Sequence, residues 1–319
     1  MTHSNLTSLI TAQASVRSTP EQERLRQAAS EVPETEGTAE KKQLPLSAFT
    51  IDVEDWYQSC VDLDAPISER VVRNVDRVLE ILDERGVKGT FFVQGLVAEA
   101  FPRLVESLVS LGHEVQSHGY SHRPLFEMSR KALREEVVRA RETVEDAAGV
   151  GVWAFRAQDF SILSQNLWAL DELSEAGYEV DSSIFPMRTG RYGIPGWDVG
   201  PCQVTLRTGA EILEVPVAIW TVGRWRVPVA GGGYFRVLPQ AILTHALKEI
   251  IGDSRPAVVY CHPYEFNPNE LEDYRRTVPA SLRASQNFGR RAFASRVRRL
   301  LATMPFGRFD EVLKTWGLR

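Results

Sequence analysis

The feature that most limits what this chain can fold into is an alternation, from Leu44 to Asp181, of short apolar β-type runs with amphipathic helical segments. An extended run from Leu44 to Ile51 ends at Asp52. Val71, Val75, Val78, Leu79 and Leu82 then share one face of a helix that Gly86 closes. Gly89–Val93 reads as a strand, Pro102–Leu111 as a helix stopped by Gly112, and His113–Ser117 as a short strand. The series continues with a helix over 129–148 capped by Ser129, and a strand at Ala154–Arg156. A helix over Gln165–Ala176 ended by Gly177, and a strand at Tyr178–Asp181, complete it. Such alternation builds βαβ units and therefore parallel strands. In barrels of this kind, functional groups gather where strands end and βα loops begin. Asp52, His118, Arg156 and Asp181 all fall at such places.

Beyond Leu206 the pattern changes. Ile212–Trp220 reads as one extended segment, Gly231–Arg236 as a tight turn or loop, and Leu238–Ile251 as a helix with Pro239 in its first turn. Pro256–Cys261 is a buried-type strand that ends at His262. The tail from Phe288 to Gly317 is basic and amphipathic, with Ala292–Thr303 expected as a helix packed on the barrel. At the other end, residues 1–44 are polar and read as a flexible tail, within which 17–30 has helical character. The expected division is thus a tail over 1–44 and one barrel domain over 45–319, which includes a C-terminal extension over 266–319.

Composition excludes several classes. With 37 basic against 42 acidic residues, the net charge of -5 argues against a broad nucleic-acid-binding surface. No apolar run is long enough to span a membrane, and the N-terminal 40 residues lack the apolar core of a signal peptide. That argues for a cytoplasmic protein, or for export by a route the sequence does not show. It would sit at the inner membrane face if its substrate were carried there on a lipid. Cys60, Cys202 and Cys261 form neither a disulfide framework nor a metal-type spacing, and Cys60 and Cys202 are expected as buried thiols.

The chemistry-bearing motifs are few. In Asp52-Val53-Glu54-Asp55, alternate residues of an extended segment face one side, so Asp52 and Glu54 can converge on one point. Asp55 can join them only if the strand has already turned. In Ser117-His118-Gly119-Tyr120-Ser121-His122, two imidazoles four residues apart can bind one metal ion once a carboxylate completes the set. Two imidazoles and a carboxylate suit zinc best, and also manganese, cobalt or nickel. His113 reads as structural. Arg156, at a strand end, can grip a carboxylate by paired hydrogen bonds. His262, just past a buried strand, suits a general acid or base. The glycine run 231–233 is no phosphate cradle, because no Lys-Ser/Thr pattern follows it. Trp56, Trp197, Trp220 and Trp225 are read mostly as core, with one or two free to stack on a sugar ring.

Taken in order, Thr50–Asp55, His118–His122, Phe155-Arg156 and His262-Pro263 resemble the polysaccharide deacetylases, the NodB-like enzymes of carbohydrate esterase family four. The resemblance covers about residues 46–265. Asp181–Pro186, Gly231–Arg236 and the basic extension are similar to a subgroup associated with exopolysaccharide gene clusters and the exosortase system. The resemblance implies a distorted (β/α) barrel of the NodB-homology type. It also implies metal-dependent removal of acetyl groups from an N-acetylated oligo- or polysaccharide. Asp52 then matches the catalytic base, Arg156 the arginine that orients it, and His262 the general acid, with Asp181 in support of His262. His118 and His122 match two metal ligands. The third is Glu54 or Asp55, because Val53 stands where many members carry an aspartate. Gln158 and Asp159 replace the proline region that usually follows the arginine. Two other readings stay open: a small-amide hydrolase of the allantoinase kind on the same fold, and a carbohydrate-binding protein without catalysis.

Overall fold

The computed structural model describes residues 16–17 and 44–319. The expected flexible tail lies outside the described residues, apart from the Val16–Arg17 backbone, called β1 here, and Leu44.

From Ser47 the chain follows the alternation. Strand β2 (Ser47–Val53) is buried along its whole length. A short helix α1 (Trp56–Cys60) precedes α2 (Arg70–Arg85), which buries Val71, Val75, Val78, Ile81 and Leu82. Helix α2 ends because Gly86 turns left-handed (φ 62°), where its N–H reaches back to Asp83 O. Strand β3 (Thr90–Val93) leads to α3 (Gly95–Ala100) and α4 (Pro102–Ser110), with Pro102 in the first turn of α4. Strand β4 (Glu114–Ser117) is followed by α5 (Arg130–Ala148), where Ser129 Oγ accepts from Ala132 N as the cap. Strand β5 (Ala154–Phe155), α6 (Ala169–Glu175) and β6 (Val180–Asp181) finish this half.

The second half departs from the expectations in two places. Ile212–Trp220 is not one extended segment. Strands β7 (Cys202–Thr205) and β8 (Glu211–Glu214) pair, Pro216 follows, and a separate hairpin forms from β9 (Ile219–Val222) and β10 (Trp225–Pro228). Gly231–Arg236 is not a loop: Gly231 caps a helix α7 (Gly232–Val237). Glycine disfavours helix by about 1 kcal/mol per residue, but tertiary packing overrides propensity here. A side chain at Gly231 would press on Tyr260, and one at Gly232 would collide with Glu265. Helix α8 (Gln240–Gly252) and β11 (Val258–Cys261) follow. Helices α9 (Ala280–Asn287) and α10 (Arg290–Thr303), strand β12 (Phe306–Gly307) and helix α11 (Phe309–Thr315) complete the chain. Helix α10 lies on the barrel through Phe293, Val297, Leu300 and Leu301, spaced three and four apart.

The main sheet runs β1-β7-β8-β6-β5-β4-β3-β2-β11, with β12 also on β2. Strands β8, β6, β5, β4, β3, β2 and β11 are parallel, whereas β7 meets β8 antiparallel. Among the described residues no strand pair joins β8 to β11. Instead Ala218 N donates to Val258 O (2.8 Å) and Tyr260 N to Ala230 O (2.9 Å). The ring is therefore a distorted (β/α) barrel, bridged at one seam by the segments on either side of the hairpin. No described helix is long and apolar enough to cross a membrane.

Candidate active site

Five parallel strands bring side chains together at their C-terminal ends, in and behind the wall of one cleft of about 210 Å³. Asp52 and Glu54 come from β2, His118 and His122 from the turn after β4, Arg156 from the end of β5, Ser182 from the end of β6, and His262 from the end of β11. Asp52, Glu54, His118 and His122 are all nearly inaccessible, and Arg156 is fully buried.

The turn after β4 is shaped by its own sequence and by α5. Gly119 is left-handed (φ 68°) and faces Gln158 so closely that no side chain would fit. Tyr120 N and Ser121 N both donate to Glu136 of α5, at 3.0 and 2.7 Å. His122 is itself left-handed (φ 64°), a conformation that costs a non-glycine residue energy and is found at functional sites. His118 Nδ1 lies 2.9 Å from Arg156 O. A carbonyl only accepts, so Nδ1 carries the proton, and the Nε2 lone pair points at Glu54 Oε2 from 3.5 Å. His122 Nε2 meets the same oxygen. The ligand atoms of Glu54, His118 and His122 all lie within 4.8 Å of one another. Among the described residues no group donates a hydrogen bond to Glu54 Oε2, although it is buried. Two nitrogen donors and an oxygen without a partner, converging out of water, fit a divalent cation. Burial alone would lift the Glu54 carboxyl, but the imidazoles of His122 and His262 hold it well below the usual range.

Asp55, the other candidate for the third ligand, is turned to a different task. Its Oδ1 accepts from Tyr57 N and Gln58 N at the start of α1, and its Oδ2 from Ser68 N. The strand has ended and the carboxylate is spent as a helix cap.

Beside this cluster stands a buried ion pair. Arg156 Nη1 donates to Asp52 Oδ1 (2.8 Å) and Thr50 Oγ1 (2.7 Å), and Nη2 to Ser182 Oγ (3.1 Å). The guanidinium also lies 4.2 Å from the Phe92 ring centroid. On the far wall, His262 Nε2 is 3.7 Å from Glu54 Oε1, and its ring stacks on Tyr264 at 4.9 Å. Asp181 is not the support of His262. That place belongs to Glu265, whose Oε2 accepts from His262 N (3.0 Å) and lies 3.3 Å from His262 Nδ1. Burial opposes charge on His262, but Glu54, Glu265 and Asp52 together raise it to about 9.

Glu265 was legible in His262-Pro263-Tyr264-Glu265 as the third-position acid of a capping box. Thr50, Ser182 and Tyr264, whose hydroxyl donates to Glu54 Oε1 (3.1 Å), carried no such signal. Of the four tryptophans, Trp56 and Trp197 are buried, Trp225 is 64% exposed on the hairpin, and none lines the cleft. The aromatic walls are Phe160, Tyr192, Tyr260 and Tyr264. Cys60 lines the cleft as an exposed residue, contrary to the expectation of a buried thiol. Cys202 is buried, as expected. His113 is buried at the far end of β4, accepting from Gly89 N (3.1 Å). Gln158 is buried under the histidine turn, and Asp159 (φ 52°) pairs with Arg191 at the cleft rim (3.0 Å).

A family model described as polysaccharide deacetylase matches residues 62–180, and one described as a domain of unknown function (DUF3473) matches 182–314. The peptidoglycan-N-acetylglucosamine deacetylase of Bacillus cereus is 31% identical over 97 residues, 30% of this chain and 35% of the relative. The chitooligosaccharide deacetylase of Sinorhizobium fredii is 32% identical over 133 residues, 35% of this chain and 60% of the relative. The chain thus spans between about a third and three-fifths of these curated relatives. Among solved structures, Puue allantoinase superposes with a TM-score of 0.56 at 14% identity, covering 90% of this chain and 94% of that one, a likeness of fold alone. Over residues 62–180 the chain is thus similar to the polysaccharide deacetylases.

Proposed function

We propose that the protein is a metal-dependent hydrolase that removes N-acetyl groups from an amino-sugar polysaccharide or from its oligosaccharide or lipid-linked precursor. One observation carries the reading: the Glu54–His118–His122 cluster opens into the same cleft as a carboxylate held by arginine and a histidine held by glutamate. Glu54, His118 and His122 would hold the ion, with zinc the best fit to that donor set and cobalt, nickel or manganese able to replace it. When bound, such an ion supplies activation of a water and stabilisation of the amide oxyanion.

The chain's own residues do the rest. Asp52, fixed in place by Arg156, takes the proton from the attacking water. His262 Nε2, aimed by Glu265 at Nδ1, gives a proton to the leaving nitrogen. Water and amide become acetate and a free amine, with one proton taken and one returned. Phe160, Tyr192 and Tyr260 offer apolar faces for a sugar ring beside the reacting bond. We assign the protein to the exopolysaccharide-associated branch on the segments 181–186 and 231–236, and place its action in the cytoplasm or at the inner membrane face. Residues 45–319 act as one barrel domain in this reading.

Acetate release from N-acetylglucosamine oligomers, set beside hydrolysis of allantoin and simple amides, tests the proposal. Metal-dependent acetate release from the oligomers supports it. Turnover of the small amides alone would replace it with a small-amide hydrolase, and metal binding with neither activity would point to a carbohydrate-binding role.

A further inference from the structure

Behind Arg156 lies a second pair of acids that the reaction does not touch. Asp181 and Glu214 stand opposite each other where β6 and β8 run in parallel register, and both side chains are completely buried. Asp181 Oδ1 accepts from Ser183 Oγ, and Glu214 Oε1 accepts from Ile184 N (3.1 Å). Among the described residues the remaining oxygens, Asp181 Oδ2 and Glu214 Oε2, have no donor, although the two carboxyls lie within hydrogen-bonding reach of each other. Two buried carboxylates cannot both stay ionised at contact, whereas one proton between them satisfies both orphan oxygens. The 182–184 turn hung on this pair sends two hydroxyls to the active-site wall. Ser182 Oγ accepts from Arg156 Nη2 (3.1 Å) and donates to Val215 O (2.7 Å). Ser183 Oγ accepts from Ala157 N (2.8 Å), at the head of the left-handed Asp159-Phe160 bend.

We infer that Asp181 and Glu214 are positioning residues that share one proton and so fix the 182–184 turn, which in turn sets Arg156 and the Ala157–Phe160 wall for the reaction proposed above. The inference rests on that reading for its catalytic arm only. Burial pushes Asp181 up to about 6 and, with the Asp181 charge, pushes Glu214 well above the usual carboxylate range. Among the described residues, the other titratable groups around the pair supply no counter-charge at contact. Cys202, opposite Glu214 on β7, is a thiol that burial pushes up to about 12. Tyr178 donates to Val137 O and accepts from Ser117 Oγ. Arg156 reaches the pair only through Ser182.

The sign of the pH effect follows. The folded pair holds a proton that the unfolded carboxyls release above their ordinary values near 4, so its contribution is complete below about 4 and is lost as pH rises from there through the folded values, the lower of them about 6. Thermal unfolding of the metal-loaded full chain, followed from pH 5 to 9 for wild type and Glu214→Gln, tests this. The wild-type midpoint should fall across that range more steeply than that of Glu214→Gln, whose amide donates without a shared proton. Parallel curves would overturn the shared proton. For the positioning role, Glu214→Leu should lower kcat about tenfold to a hundredfold with KM and metal content unchanged, the scale of a misplacement near 1 Å. Glu214→Gln should restore most of it. Wild-type kcat in Glu214→Leu would overturn the role, and if that variant does not fold, Ser183→Ala takes its place with the same expected kcat loss and the same overturning result. Should wild type itself release no acetate, the deacetylase reading fails while the unfolding curves still decide the proton.

Discussion

Replacing Arg156 by Met would show how much the fold depends on the geometry that sets the site. The guanidinium is fully buried, and Asp52, 2% exposed, has it as its cation at 2.8 Å. Removing one partner of a buried ion pair costs about 3–5 kcal/mol, because the other charge is left in a poorly polarisable place. The hydrogen bonds to Thr50 and Ser182 add roughly 1 kcal/mol together, since both hydroxyls keep donating to main-chain carbonyls of Val259 and Val215. Methionine refills most of the volume, so the cavity term is small. The expected loss is about 4–6 kcal/mol, a large share of the 5–15 kcal/mol that holds an ordinary domain together. Urea unfolding followed by tryptophan fluorescence reads it directly. The double variant Asp52→Asn with Arg156→Met should recover about 2 kcal/mol or more, because no uncompensated carboxylate remains. A single variant within 1 kcal/mol of wild type, or a double variant as unstable as the sum of the singles, would refute the reasoning.

Three further outcomes follow from particular contacts. Glu265→Ala should lower kcat about tenfold or more at nearly constant KM, since it frees the His262 ring, with steady-state kinetics on oligosaccharides as the check. Gly232→Ala puts a methyl group into the space of Glu265 and should reproduce that kinetic defect while costing about 1–3 kcal/mol in stability, measured by thermal unfolding. His113 is buried neutral, and burial lowers it from 6.5 to about 4. A depressed histidine contributes stability in full above its unfolded value and loses it as pH falls towards the folded value. Between pH 7 and 5 the wild type should therefore lose about 2 kcal/mol through this group, a slope that His113→Gln flattens.

Much of the first half of the barrel is legible because local and tertiary signals agree there. Gly86 and Gly112 stop helices, Ser129 starts one, and β3 reads as the apolar run Phe91-Phe92-Val93. The second half is less legible because packing overrides propensity. Gly231 and Gly232 open α7 because Tyr260 and Glu265 leave no room for side chains there. The reacting groups are legible as strand-end residues, since a parallel barrel brings such positions together. Their supports are less so. Asp55 and Glu54 differ in sequence only by one position, and the turn into α1 decides which faces the histidines. Thr50 and Ser182 are hydroxyls whose role appears only when β2, β5 and β6 lie side by side. Asp181 ends a strand as His118 does, but its neighbour on β8 is an acid, which turns it towards Glu214 and away from His262.

The proposed deacetylation depends on a one-ion site made by Glu54, His118 and His122. The most direct test is to strip the protein with chelator and titrate zinc back while measuring acetate release from N-acetylglucosamine oligomers, in wild type, Glu54→Ala and Asp55→Asn. Wild-type activity should rise to a plateau at one equivalent, Glu54→Ala should neither retain zinc nor release acetate, and Asp55→Asn should still retain it. Acetate release from stripped wild type, or a Glu54→Ala protein that still binds one zinc and turns over, would contradict that dependence.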